Sequence, residues 1–219
     1  MKLEAERFAE QLLSGNQSEA WAMIAGLHAA GKNSLYIYDR VITSALRYIG
    51  ELWEQNQITV ADEHLATATC DLIILQYSAF LNHTPTQAKK AMMLCIEGEQ
   101  HDVGLKLAAQ MFKEAGWETR FYGANLPLEH ILTSAIQWQP HVIGLSVSIV
   151  YHLPRLSAYI TTFEKMYHHP TVMVGGRLTE TYDLRSYGSE NTLFMRNLFE
   201  IQQWISEHGN TQTMRNVTG

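Results

Sequence analysis

The chain changes its hydrophobic period once, near residue 84, and this change restricts the fold more than any other feature. Before it, apolar residues recur every three or four positions, the spacing of one face of a helix. Phe8 and Leu12 mark one helix, Trp21, Ile24 and Leu27/His28 a second, and Tyr38, Val41/Ile42, Ala45, Tyr48/Ile49 and Leu52 a long third. Thr59 is placed to cap a fourth, with Asp62 three residues on in a shortened capping box. The stripe of that helix reads as Val60, His64, Thr67/Ala68, Leu72 and Leu75. Gly15, Gly31 and Asn-Gln-Ile at 56–58 supply the breaks. Four helices with short connections predict an antiparallel four-helix bundle over residues 1–84.

After the polar linker at 82–90 the pattern is different. Short apolar runs, "AMMLCIE", "TRFYGAN", "HVIGLSVS" and "TVMVGG", end in Gly, Asn, Ser or an acid. Helical segments near 104–115, 129–138 and 153–167 separate them, and "TLF" at 192–194 is a weak fifth strand before a last helix through Trp204. Strands alternating with helices predict a doubly wound parallel sheet over 88–208, giving an overall α+α/β class. The tail at 209–219 is expected to be flexible.

The 46% apolar content of 219 residues is enough for a proper core. The net charge of −6 argues against direct nucleic-acid binding. No apolar run reaches the length of roughly 18 residues that a membrane span needs. The acidic, helical start does not read as a signal peptide, so a cytoplasmic chain is expected. The two cysteines, Cys70 and Cys95, stand in apolar surroundings and read as reduced core residues.

Ligands of open parallel sheets bind beyond the carboxyl ends of the strands. Three of those ends carry unusual residues here. Glu99, His101 and Asp102 follow the first strand, Ser146 and Ser148 end the third, and Gly175-Gly176 ends the fourth. Glycine lets backbone approach a ligand, and serine offers a small donor. Taken singly, each is an ordinary cap or turn. No GxGxxG follows the first strand, which excludes a dinucleotide phosphate loop, and no cysteine pairs stand near the histidines to suggest structural zinc.

Taken together, these positions resemble a known pattern. Glu99-x-His101-x-x-Gly104, then 41 residues to Ser146-Val147-Ser148, then 26 to Gly175-Gly176, is similar to the D/E-x-H-x-x-G, S-x-S/L and GG series of cobalamin-binding domains. The resemblance covers residues 88–208 and implies a flavodoxin-like (Rossmann-type) fold. It implies cobalamin bound base-off and His-on, with His101 as the lower axial ligand of cobalt. It also implies that Glu99, Asp102, Val103, Gly104, Ser146, Val147, Ser148, Gly175 and Gly176 line the cofactor and its nucleotide tail. Glutamate replaces the commoner aspartate of the first motif position. Glu99 and Asp102 are both candidates to orient the imidazole. A bulky residue at Gly176 is expected to block the tail and spare the fold.

Upstream, Trp53 is followed by nine residues and then Glu63-His64. This resembles the W-x9-E-H motif of the CarH-type B12-dependent photoreceptors, in which the Trp and Glu pack around the 5′-deoxyadenosyl group. The resemblance implies a stand-alone light sensor that is not an enzyme. It implies adenosylcobalamin, with methylcobalamin as the other form, held between cap and α/β domain, with light altering a homo-oligomer (dimer) or the contact with a regulatory partner. Two departures stand out. No winged helix-turn-helix of the MerR type precedes the bundle in this sequence, and Glu54 follows the Trp where a cobalt-capturing His can stand. The rival expectation comes from a second resemblance, to the corrinoid proteins of methyltransferase systems, which share the bundle-then-cobalamin-domain order and carry a methyl group on cobalt. A bilin-holding photoreceptor and a cobalamin storage protein are the remaining alternatives.

Overall fold

The computed structural model describes residues 2–209. The chain divides into two compact units, residues 1–83 and 84–219. The expectation of a flexible tail therefore falls almost wholly outside the described residues; Gly209 itself closes the last helix.

The first unit is a bundle of four helices: α1 (Lys2–Leu13), α2 (Gln17–Ala29), α3 over 34–54 and α4 (Val60–Leu81). Asn16 and Asn33 accept the backbone N–H groups of Glu19 and Tyr36, capping α2 and α3. Thr59 and Asp62 form the anticipated capping box. α3 is not regular throughout. Ile37–Thr43 is π-helical, and the Thr43 and Ser44 side-chain hydroxyls donate to the carbonyls of Tyr38 and Asp39, five residues back, at 2.8 and 3.1 Å. The buried positions Tyr38, Val41, Ile42, Ala45 and Ile49 follow the anticipated stripe.

For α4 the anticipated stripe is the wrong face. Val60 and Leu75 are 56% and 67% exposed, and His64, Ala68 and Leu72 face solvent as well. The bundle instead buries Ala66, Thr69/Cys70, Ile73/Ile74 and Tyr77. The helix is apolar on two faces, so spacing alone could not tell which one the core takes.

The second unit is a five-stranded sheet in the order β2-β1-β3-β4-β5, parallel throughout. The strands are β1 (Lys90–Ile96), β2 (Glu118–Leu126), β3 (Val142–Ser146), β4 (Thr171–Gly175) and β5 (Leu193–Phe194). The helices between them are α5 (Val103–Glu114), α6 (Leu128–Trp138), α7 (Leu153–Glu164) and the short α8 (Arg177–Thr181), and α9 (Leu198–Gly209) ends the unit. This is the doubly wound, flavodoxin-like order, and its switch point lies between β1 and β3.

Alternation along the strands sorts the two faces of the sheet. Met92, Leu94, Ile96, Ile143, Leu145 and Val174 join one core with α6 and α7. On the opposite face Cys95, Ser146 and Gly175 are register partners across β1, β3 and β4. One step back along the strands, Gly144 leaves room for the Met93 sulfur.

Candidate functional site

The turn after β1 is built around a buried carboxylate. Gly98 has φ +90, and a Cβ there would lie 2.7 Å from His152 Cε1, so only glycine suits the turn. Asn125, itself left-handed at φ 53 near the end of β2, accepts the Gly98 N–H through Oδ1 at 2.8 Å. The Asn125 N–H in turn donates to the Glu99 carbonyl at 2.9 Å. Residues from β2 therefore hold the turn that presents Glu99 and His101.

Glu99 is 0% exposed. Its Oε1 accepts the His101 N–H at 2.9 Å and meets His101 Nδ1 at 2.6 Å. Its Oε2 accepts the Ser148 N–H at 2.6 Å. Burial pushes this carboxyl up, but the bonds from the His101 ring, the His101 N–H and the Ser148 N–H outweigh burial and hold it below the usual carboxylate range. One ionised group thus ties the loop after β1 to the loop after β3, across the switch point. The His101 side chain stands 62% exposed above it.

Asp102 does not share this role. Its Oδ1 pairs with Lys106 Nζ at 2.8 Å, one turn into α5, so the orienting carboxylate is Glu99. Val103 is the first residue of α5 and is half-buried, and Gly104, in its first turn, has open space where a Cβ would be.

The other anticipated positions separate into backbone and side-chain contributors. The Ser146 hydroxyl reaches the His101 carbonyl at 3.5 Å, and Cys95 Sγ reaches the same oxygen at 3.7 Å. Cys95, Ser146 and Gly175 therefore form one row beneath His101, and the cysteine is a member the sequence reading did not single out. Burial, then the charges of Asp102 and Glu99, push the Cys95 thiol up to about 12. Val147 points the other way, into the core, and offers only backbone. Ser148 acts through its N–H on Glu99.

The glycine pair divides likewise. A Cβ on Gly175 would find only the Met195 carbonyl oxygen, at 3.9 Å. Gly176, at φ +118, would place a Cβ 2.2 Å from the Val147 carbonyl oxygen. Its bareness serves the approach of the chain to itself. The expectation that a bulky residue there spares the fold is therefore corrected.

In the helical unit Trp53 lies in the last turn of α3 and is 49% exposed, so it does not plug the bundle. Glu63 and His64 stand in the first turn of α4. His64 Nδ1 is 3.0 Å from the Val60 carbonyl and 3.2 Å from Glu63 Oε2. Glu63 Oε1 accepts from Thr67 at 3.4 Å.

Among the described residues no helix is long and apolar enough to cross a membrane. Residues 89–189 match the B12 binding domain model, and residues 4–75 match a second B12 binding domain model. The HTH-type transcriptional repressor CarH of Myxococcus xanthus is 26% identical over 147 residues, which are 65% of this chain and 48% of that protein. The repressor CarA of the same organism is 30% identical over 90 residues, 41% of this chain and 31% of that protein. The chain thus spans about half or less of the length of these two repressors. Dimethylamine corrinoid protein 1 of Methanosarcina acetivorans is 21% identical over 144 residues, 64% of this chain and 68% of that protein. Among solved structures, the Methanosarcina barkeri monomethylamine corrinoid protein shares the fold, with a TM-score of 0.77 over 93% of this chain and 97% of that one at 16% identity. A parallel sheet with its histidine at the switch point, preceded by a helical unit and matched in both parts by B12-binding models, places this chain in the B12-binding domain family, with cobalamin as its cofactor.

Proposed function

We propose that the chain holds cobalamin base-off with His101 Nε2 as the lower axial ligand, and that the helical unit recognises the upper ligand. The observation that carries this reading is the grip of wholly buried Glu99 on Nδ1 of the exposed His101. An ionised carboxylate only accepts, so Nδ1 carries the proton and the lone pair sits on Nε2. The carboxylate also raises the basicity of the ring and fixes its plane. Imidazole suits cobalt. Among the described residues no group of three or more His, Cys, Asp or Glu is placed to hold a metal ion. A single imidazole fits a metal that arrives with its other ligands in place. The row of Ser146 and Gly175 gives a small donor and a bare strand end to the nucleotide tail.

When bound, the cofactor supplies a cobalt–carbon bond that light or a nucleophile breaks. The finer reading is an adenosylcobalamin light sensor. Trp53, half-exposed, offers an adenine a stacking face, and Glu63 accepts from a ribose hydroxyl or an adenine amine. Loss of that ligand changes what the helical unit packs against, and the change is passed to a partner. The second reading, a methyl carrier, is favoured by the share of the relatives that is matched: 68% of a dimethylamine corrinoid protein against 48% of CarH.

Spectra of the full chain with adenosylcobalamin, before and after green light, test both readings. A His-on, base-off spectrum in the dark and a light-dependent change in protease sensitivity of residues 1–83 are expected of the sensor. A base-on spectrum overturns the lower-ligand assignment. A proteolysis pattern that ignores light favours the carrier.

A further inference from the structure

We propose that α4 pairs antiparallel with α4 of a second copy of this chain. The proposal stands apart from the cofactor reading and rests on the face of α4 that the bundle does not use. Ala61, Leu65, Ala68, Leu72, Leu75 and Ala79 follow one another at spacings of four, three, four, three and four, and every one of them is exposed. The leucines are 46%, 48% and 67% exposed in chain order. This is the heptad rhythm by which a helix meets another helix, knobs into holes. Opposite it, Ala66, Cys70, Ile73 and Tyr77 are already buried in the bundle. Leu65 also lies beside Gly15 in the turn before α2, but Ala68, Leu72, Leu75 and Ala79 continue the seam on exposed positions beyond the buried face.

The order of large and small residues identifies the occupant as the same helix. Read in reverse, about a twofold axis between Ala68 and Leu72, the seam matches itself. Ala61 faces Ala79, Leu65 faces Leu75, and Ala68 faces Leu72 of the other copy. Alanine opposite leucine fills the central layer, and alanine pairs at both ends let the backbones come close. Such a self-complementary patch makes an isologous pair.

The borders of the seam do not oppose this. Asp62 is tied to Thr59 in the capping box, and Asp71 has its Oδ1 buried. His64, on the same side as Asp71, is held toward Val60 and Glu63.

The seam is about 27 Å long at 1.5 Å per residue. Two such faces bury on the order of 1,000 Å² together, the low end for a specific pair. The contact is accordingly a weak, concentration-dependent dimer.

Sedimentation velocity on the full chain from about 1 to about 100 µM should shift from monomer to dimer. Leu72→Glu, at a half-exposed position, should stay monomeric over that range with unchanged helix content and cobalamin titration. Cross-linking fixes the register and does not depend on that variant. An equimolar mixture of Ala68→Cys and Leu72→Cys chains should form disulfide-linked pairs faster than either chain alone. A wild-type monomer at the top concentration overturns the proposal, whatever else covers the seam. So does a dimer that Leu72→Glu leaves intact. Faster linkage of Ala68→Cys chains with themselves overturns the antiparallel pairing.

Discussion

Glu99 Oε1 lies 2.6 Å from His101 Nδ1, in a carboxylate that solvent does not reach. The same oxygen also takes the His101 N–H, and its neighbour takes the Ser148 N–H. The loop therefore keeps its anchor when the imidazole is removed. His101→Ala should still fold, with a modestly lowered melting temperature because buried Glu99 loses its bond from the ring, and should lose the His-on spectrum and bind cobalamin more weakly. An unchanged spectrum would remove His101 from the axial position.

Glu99→Gln separates orientation from ligation. The variant keeps the shape, but its amide nitrogen must face one of the N–H groups that the carboxylate accepted. One buried donor is left unsatisfied, which costs about 1–3 kcal/mol of stability. Cobalamin affinity should fall about 10–100-fold, the usual effect of losing the group behind a ligating histidine. Thermal melts and absorbance titrations read the two effects. Full affinity in Glu99→Gln would show that the carboxylate does not orient the ring.

The glycines of the fourth strand end should behave oppositely. Gly176→Ala forces a Cβ against the Val147 carbonyl at a backbone angle that side chains rarely adopt, and should cost about 1–3 kcal/mol. Gly175→Ala meets only ordinary contact and should melt like the parent. Equal melting temperatures for the two variants would contradict this division.

The thiol chemistry follows from burial. Cys70 and Cys95 are both buried, and Cys95 is pushed up to about 12, so its thiol stays neutral well above physiological pH. Neither should react with iodoacetamide at about pH 8 in the folded chain, and both should react in denaturant. Native-state labelling of Cys95, read by mass spectrometry, would mean that the row beneath His101 opens.

How much of this could be read from the sequence depends on how far apart the partners lie. Glu99 and His101 are two residues apart, so their relation is a local motif and was legible. The choice of Glu99 over Asp102 was not, because Lys106 decides it from the next helical turn. Asn125 holds the turn from another strand, and its left-handed backbone leaves no trace in a hydrophobic pattern. The alternation of strands and helices pointed to the parallel sheet, since short continuous apolar runs differ plainly from the longer amphipathic segments between them. In α4 the period was right and the face was wrong: Leu72 and Leu75 are as apolar as Ile73 and Ile74, and only packing chooses between them. Gly176 was read as making room for a ligand, and the room it makes for the Val147 carbonyl, set by a neighbouring loop, was not legible.

The tryptophan of the helical unit gives the prediction that separates the two functional readings. Trp53 is 49% exposed at the end of α3, so Trp53→Ala removes little packing and should change stability by less than about 1 kcal/mol. If its indole stacks on an adenine, the variant should lose about 1–3 kcal/mol of adenosylcobalamin affinity, the scale of base–aromatic stacking. Methylcobalamin carries no adenosyl group on its upper face, so its affinity should be nearly unchanged. Glu54, next in sequence, provides no imidazole to the vacated face, and His64 is held toward Val60 and Glu63 through Nδ1. The illuminated protein should therefore show water rather than a second imidazole as the upper ligand. A bis-imidazole spectrum after illumination would refute this, and its loss or persistence in His64→Ala would show whether His64 supplies the ring. Equal losses for both cofactors in Trp53→Ala would remove adenosyl recognition from Trp53 and leave the methyl carrier as the better account.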